Sequence, residues 1–211
     1  MKRQLKIIIL TLISVIMMGF AISVLNLVNL GTDPFTYMNL SIANHFDISF
    51  GNWQVFLNIL MFIPVIFFDR RQIGIGTIFN MVLVGYSVEV FTYLWNMLSI
   101  EHFFDIMAVR ILAMIPALIL FIFSAAVYMS ANLGTAPYDA LPFILAGKFH
   151  RLPFKYIRFL WDCLAILIGF FISGKVGIVT IAMALFMGQT VAFVKETFMK
   201  QFTSSENLPK K

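Results

Sequence analysis

Long apolar segments with few or no charges alternate with short polar clusters along the whole chain. A bilayer core about 30 Å thick requires roughly 17 to 25 apolar residues of helix to cross it. Six segments meet that requirement, and they predict six membrane spans within residues 7–32, 52–68, 73–97, 111–138, 154–173 and 176–194. The fifth segment is the least apolar, because Arg158 and Asp162 lie in its first half.

Two shorter helical pieces, residues 35–45 and 138–149, lie between these spans. Both are too short to cross a bilayer comfortably, and they carry polar side chains such as Asn39 and Asp139. We interpret them as half-helices that are re-entrant or lie at the membrane interface. The predicted fold class is therefore all-α: a polytopic transmembrane helix bundle of six spans plus two short half-helices.

The chain matches itself without gaps when it is shifted by 103 residues. Asn-Leu-Gly-Thr-x-Pro occurs at residues 29–34 and again at 132–137, and Gly-Ile-x-Thr-Ile occurs at 74–78 and again at 177–181. Residues 29–92 contain 18 identities over 64 positions with residues 132–195. The corner motif consists of residues that are not common membrane filler, so the match indicates a tandem repeat, with repeat 1 at about 5–98 and repeat 2 at about 103–197.

An odd number of spans in each repeat predicts that the second repeat enters the membrane from the opposite side. Such a 3+3 inverted repeat is common among secondary transporters. If the short pieces crossed the membrane, each repeat would have four spans and the two repeats would be parallel. The sequence leaves this eight-span alternative open.

Basic residues favour one orientation of the chain. With six spans and a cytoplasmic N-terminus, only Arg110 and Lys175 lie outside, and the 13 basic residues inside are Lys2, Arg3, Lys6, Arg70, Arg71, Lys148, Arg151, Lys155, Arg158, Lys195, Lys200, Lys210 and Lys211. The eight-span alternative places 12 basic residues inside and 3 outside. Both distributions follow the positive-inside rule, and both predict cytoplasmic N- and C-termini.

The composition excludes several classes of protein. Hydrophobic residues make up 61% of the chain and charged residues only 12%, whereas soluble domains are about 25% charged. The basic residues form short clusters between spans rather than a nucleic-acid-binding face. One cysteine excludes an internal disulfide, and the three histidines have no neighbours at metal-ligand spacing. We expect a single transmembrane domain over residues 1–200, followed by a cytoplasmic polar tail at 201–211, with no cofactor and no metal.

The corner motif predicts a helix that stops, turns and starts again. Glycine permits the sharp turn, a Thr or Asp side chain can cap free N–H groups, and proline suits the first helical position. The N-terminus of the half-helix that follows would attract anionic groups. The corner could equally be no more than a tight loop. The small residues at 74–77 could pack helices closely or expose backbone to a ligand.

Ionisable groups inside a bilayer are expensive, and they are candidates for function. Glu89 is the deepest in the sequence, and it is either a proton- or cation-coupling residue or an interfacial carboxylate. Asp162 lies four residues after Arg158, so an ion pair within one helix could satisfy it. Asn80 and Gln189 could bind a ligand or hydrogen-bond neighbouring helices.

The candidate residues fall into two sets, one for binding and one for helix starts and packing. The candidate substrate- or ion-binding residues are Asn29, Thr32, Asp33, Asn80, Glu89, Asn132, Thr135, Asp139 and Gln189. The helix-start and packing residues are Gly31, Pro34, Gly74, Gly76, Thr77, Gly134, Pro137, Gly177 and Thr180.

The Gly-Thr-x-Pro corner after the first span and the Gly-Ile-Gly-Thr start of the third resemble the YczE/YyaS/YitT family of bacterial integral membrane proteins. The small size and tandem halves agree with this resemblance, which extends to about residue 200. It implies a bacterial plasma-membrane protein, and it assigns no catalytic or binding residue to this chain.

Two functions fit these observations. One is a small secondary transporter or permease with a site between the two corners. The other is a non-transporting membrane factor that binds or stabilises another membrane protein or supports a biosynthetic or regulatory system. Enzymatic activity is not expected, since no metalloprotease or nucleophile motif is present. The expected partners are the lipid bilayer and either a small molecule or a membrane protein, with no nucleic acid. A homo-oligomer is compatible with the sequence.

Overall fold

The computed structural model describes residues 2–149 and 152–206. Within these residues the regular secondary structure is entirely helical. The helices are α1 (Lys2–Val28), α2 (Pro34–His45), α3 (Phe50–Phe68), α4 (Ile75–Met97), α5 (Met107–Ser130), α6 (Pro137–Lys148), α7 (Phe154–Ser173) and α8 (Ile178–Glu206). Short 3-10 turns at Arg70–Gln72 and Ile100–Asp105 precede α4 and α5. The all-α prediction is confirmed, and α2 and α6 are the two predicted short helices.

Within the described residues, five helices are long and apolar enough to cross a membrane: Gln4–Val28, Phe50–Phe68, Ile75–Met97, Met107–Ser130 and Phe154–Ser173. Helix α8 contains most of the sixth predicted span. The apolar segment found in it, Ile178–Thr190, is shorter than the five spans above. Side chains such as Phe67 and Phe171 are 75% and 83% exposed on the outer surface. Such a surface is suited to lipid. The structure supports a polytopic membrane protein, while the count of six spans stays a prediction.

The core forms along the contact between α1 and α5. Small and branched side chains of both helices, including Ala21, Ala125 and Ala126, are almost completely buried there. Small residues let two membrane helices approach closely, and close approach provides the van der Waals contact that stabilises membrane bundles. Helix α4 packs on α1 and helix α8 on α5, while α2 packs on α7 and α6 on α3.

The two corner motifs adopt the same backbone conformation. Asn29 and Asn132 have φ values of 53° and 51°, and Gly31 and Gly134 have φ values of 111° and 104°. These left-handed conformations end α1 and α5, and a proline then begins each short helix. The predicted stop, turn and start are therefore confirmed at both corners.

Each corner docks against the other half of the chain. The Gly76 N–H donates to the Leu133 carbonyl at 2.8 Å, and the Val179 N–H donates to the Leu30 carbonyl at 3.0 Å. A Cβ atom at Gly74 or Gly177 would lie against these same carbonyls, far closer than the 3.0 Å that real Cβ atoms keep. The structure thus gives the Gly-Ile-x-Thr segments the close-packing role that the sequence left open.

Three threonine side chains complete these contacts. Thr180 Oγ1 accepts a hydrogen bond from the Thr32 N–H at 3.2 Å. In the other half, Thr77 Oγ1 accepts from the Gly74 N–H and donates to the Gln72 carbonyl, both at 3.1 Å. Thr135 binds Gln72 through its N–H and its hydroxyl. The start of α4 and the start of α8 are therefore each held by the opposite corner.

Candidate functional site at the meeting of the two short helices

The first turns of α2 and α6 meet at a small buried cavity of about 50 Å³. The rings of Phe35 and Tyr138, one from each helix, stack with their centroids 4.3 Å apart. Six pairs of lining residues are separated by 103 positions: Met18 and Phe121, Ile22 and Ala125, Asp33 and Ala136, Phe35 and Tyr138, Thr36 and Asp139, and Val84 and Met187. The cavity, which we call the central cavity, lies where the matching segments of the two halves face each other.

A buried ion-pair cluster forms one wall of the central cavity. Arg158 Nη1 lies 2.5 Å from Asp139 Oδ1, and Arg158 Nε lies 3.2 Å from Asp162 Oδ2. The Tyr138 hydroxyl donates to Asp162 Oδ1 at 2.6 Å. The predicted Arg158–Asp162 pair is confirmed. Asp139 joins it from 19 residues away, because α6 packs alongside α7.

This cluster changes the role of Arg158. In the six-span topology it counts as a cytoplasmic charge, whereas its side chain is 14% exposed and binds two carboxylates. Without Arg158, 12 basic residues lie inside and 2 lie outside, so the predicted orientation is unchanged. The signal that could have identified Arg158 was its position within an apolar span, where charged groups usually pair or line a cavity.

Asp33 lines the central cavity together with Arg158 and Asp139. It is 6% exposed, and its Oδ2 accepts a hydrogen bond from the Thr36 N–H at 3.0 Å, which caps α2. Its Oδ1 has no hydrogen-bond partner among the described residues.

Amide and hydroxyl groups of the first half and of α5 complete the lining. Gln54, Asn80 and Tyr128 line the central cavity. The described residues provide no partner for Gln54 Oε1, and the Ala136 N–H lies near the Tyr128 hydroxyl without forming a hydrogen bond of ordinary geometry. Asn80 was a sequence candidate. Gln54 and Tyr128 were not, because glutamine and tyrosine also occur as packing and interface residues in membrane helices.

Four of the other candidates lie at the corners rather than at the central cavity. Thr32 and Thr135 form the corner contacts described above. Asn29 and Asn132 are exposed, and each occupies the left-handed position that ends its helix. Gln189 is exposed on α8. Among the sequence candidates, the structure brings only Asp33, Asn80 and Asp139 together at the cavity.

Glu89 has a different place in the structure. Its Oε1 accepts hydrogen bonds from the Ser49 hydroxyl at 2.5 Å and from the Gly51 N–H at 3.0 Å. These groups are at the start of α3, where free N–H groups and the helix dipole favour a negative charge. The half-buried Glu89 side chain therefore caps a neighbouring helix.

A larger crevice opens beside the first corner. It has a volume of about 620 Å³ and is lined by the end of α1, by α2 and by the connection between α7 and α8. Its polar lining residues are Asn26, Asn29, Thr32, Tyr37, Ser41, Asn44, His45, Ser173 and Lys175. Thr32 lines this crevice and the adjacent Asp33 lines the central cavity. One corner therefore separates the two spaces.

A protein-family model described as "Family of unknown function (DUF6198)" matches residues 5–196. The chain belongs to the DUF6198 family. The match includes both corners and all residues of the central cavity.

Two relatives of this DUF6198 protein are similar over most of its length. The "Uncharacterized membrane protein YczE" of Bacillus subtilis is 25% identical over 164 residues, which cover 78% of this chain and 73% of the relative. An "Uncharacterized protein" of Haemophilus influenzae is 24% identical over 192 residues, which cover 90% of this chain and 84% of the relative. The resemblance to the YczE family is confirmed. No solved structure matches the chain.

Proposed function

We propose that the protein is a small secondary transporter of the bacterial plasma membrane, with its site at the central cavity. The observation that carries this proposal is that two short helices, one from each half, begin at the same buried polar cavity. Discontinuous helices whose ends meet near the bilayer midplane form the binding sites of many transporters. Irregular backbone at membrane depth is tolerated where protein covers it or where it lines a cavity.

Opposed insertion of the two halves is the second part of the proposal. The packing of α4 on α1 corresponds to that of α8 on α5, and the packing of α2 on α7 corresponds to that of α6 on α3. The hydrogen bond from the Gly76 N–H to Leu133 likewise corresponds, after a shift of 103 residues, to the one from the Val179 N–H to Leu30. These exchanged contacts support an approximate two-fold relation between the repeats. Three spans in each repeat would place the two-fold axis in the membrane plane, which is the inverted architecture of many secondary transporters.

The crevice at the first corner supplies the entry route in this proposal. Its volume lies within the range of about 300–1,000 Å³ that is typical of small-molecule sites. The orientation predicted from basic residues places the end of α1, and hence the crevice, on the outer side. A small polar solute would bind in this crevice, and displacement of the corner at Thr32 and Asp33 would open the crevice to the central cavity.

Cysteine labelling tests the opposed insertion. After Cys163→Ala, we expect Asn29→Cys to react with a membrane-impermeant maleimide in intact cells, and Asn132→Cys to react only after permeabilisation. Both asparagines are exposed, so accessibility reports the side of the membrane rather than burial. Reaction of both positions from the same side would mean that the repeats are parallel and would remove the basis for alternating access.

An uptake screen in proteoliposomes, covering small polar solutes, tests transport itself. For any solute that is taken up, we expect Asp139→Asn and Asp33→Asn to lower the initial rate about tenfold or more, since each alters a charge at the central cavity and about 1.4 kcal/mol corresponds to a factor of ten. Glu89→Gln and Asp47→Asn are matched controls, because Glu89 caps α3 and Asp47 is exposed. Wild-type rates in both cavity variants would show that the site lies elsewhere.

A further inference from the structure

Three oxygen atoms at the central cavity share one property, which Asn39 Oδ1 and Asn58 Oδ1 also have elsewhere in the described residues. Asp33 Oδ1, Gln54 Oε1 and the Tyr128 hydroxyl oxygen are buried and form no hydrogen bond of ordinary geometry among the described residues, although the Ala136 N–H lies near the Tyr128 hydroxyl. Their side chains are 6%, 2% and 1% exposed, and all three residues line the same cavity. Buried polar groups without partners are costly. A cluster of such oxygen atoms lining one cavity indicates a ligand that these oxygens coordinate.

The size of the cavity limits what that ligand can be. A volume of about 50 Å³ is far below the roughly 300 Å³ of the smaller organic-ligand sites. It is sufficient for an ion with one or two water molecules, since a single water needs about 10–15 Å³.

The charges around the cavity determine the sign of the ligand's charge. Asp33, Asp139 and Asp162 together with Arg158 carry a net charge of −2 when all four are ionised (+1 against −3). The N-termini of α2 and α6 contribute about +0.5 each, which leaves about −1. An uncompensated charge in a membrane interior is unfavourable, and one monovalent cation would neutralise it.

We infer that the central cavity binds one alkali-metal cation through Asp33 Oδ1, Gln54 Oε1 and the Tyr128 hydroxyl. All three ligands are oxygen atoms, which hard cations prefer, and Mg²⁺ would demand a nearly ideal octahedral shell that it gives up reluctantly. Arg158 holds Asp139 and Asp162 in ion pairs, so Asp33 is the carboxylate that remains for the cation. This inference deepens the proposed function by naming the coupling ion of the same site.

Thermal unfolding of the purified full-length protein in detergent tests the inference without any substrate. Choline chloride is replaced by LiCl, NaCl or KCl at constant ionic strength and constant pH. We expect at least one alkali cation to raise the unfolding midpoint in a saturable manner, because a ligand that binds only the folded state stabilises it.

Variants identify the ligands. Asp33→Asn keeps a side chain that can cap α2, and it should raise the half-saturating cation concentration roughly ten- to a hundredfold, as loss of a charged partner does. Tyr128→Phe removes only a hydroxyl and should raise it up to about tenfold. Asp47→Asn, at an exposed acid, should leave it unchanged.

Three results would overturn the inference. They are equal midpoints in choline and in all three alkali salts, a midpoint that responds to pH alone, and an unchanged cation response in both Asp33→Asn and Tyr128→Phe. Tyr128→Phe keeps the test decisive if Asp33→Asn does not fold. Because the assay measures no flux, saturable cation binding without uptake of any solute would contradict the transporter and leave the cation site intact.

Discussion

Arg158→Leu is expected to lower the free energy of unfolding by about 3–5 kcal/mol, because it leaves Asp139 and Asp162 as buried carboxylates without a cation. Arg158 contacts both acids directly, at 2.5 Å and 3.2 Å, so a single substitution breaks two ion pairs. The Tyr138 hydroxyl would remain on Asp162, but a neutral donor cannot replace a positive charge. Denaturant unfolding in mild detergent, followed by tryptophan fluorescence, measures the change.

Arg71→Leu is the matched control, since Arg71 is an exposed arginine on the turn before α4. It removes the same charge from the chain, and surface substitutions of this kind usually change stability by no more than about 0.5 kcal/mol. Adding Asp139→Asn and Asp162→Asn to Arg158→Leu should restore a large part of the loss, because the uncompensated charges disappear. Equal stabilities of Arg158→Leu and Arg71→Leu would show that the cluster has no structural importance.

Gly177→Ala is expected to prevent folding or to destabilise the protein by at least about 3 kcal/mol. The added Cβ would overlap the Leu30 carbonyl and the Gly31 Cα. These are backbone atoms that cannot rotate away. Relief of the overlap would separate the corner from α8 and break the hydrogen bond from the Val179 N–H to Leu30. Gly74→Ala should behave in the same way, since its Cβ would meet the Leu133 carbonyl.

Gly188→Ala serves as the control for both glycine substitutions. It lies within α8, and a Cβ there meets no atom within 4 Å. Alanine is favoured over glycine inside a helix by about 1 kcal/mol, so this variant should be neutral or slightly more stable. The measurement is the yield of monodisperse protein together with its unfolding midpoint. If Gly177→Ala and Gly74→Ala matched Gly188→Ala, the docking of each corner on the opposite half would be unimportant for folding.

Local features of the sequence predicted the helices well. The short helices were expected at residues 35–45 and 138–149, and the structure has Pro34–His45 and Pro137–Lys148. This agreement has a local cause: asparagine in the left-handed conformation ends each long helix, glycine makes the turn and proline starts the short helix, without help from distant residues. Span lengths follow from apolar content in the same way.

The site was predicted only in part. Asp33, Asn80 and Asp139 were named from the sequence and do line the central cavity, whereas Gln54 and Tyr128 were missed. Glu89 was singled out for its depth in a span, but that argument could not show that Ser49 and the Gly51 N–H would lie against it. Proximity between residues on different helices depends on which helices pack together, and a single sequence does not record it.

The sequence by itself therefore determined the helical membrane class, the two corners and the repeated order of long and short helices, because apolar length and turn chemistry act over a few neighbouring residues. Tertiary structure alone decided that each corner docks on the opposite half, that Arg158 joins Asp139 to Asp162, and that unpartnered oxygens of three helix segments face one cavity. The reason is physical. Membrane helices are apolar toward lipid as well as toward one another, so hydrophobicity cannot identify their inner faces, and only packing brings the distant polar groups together.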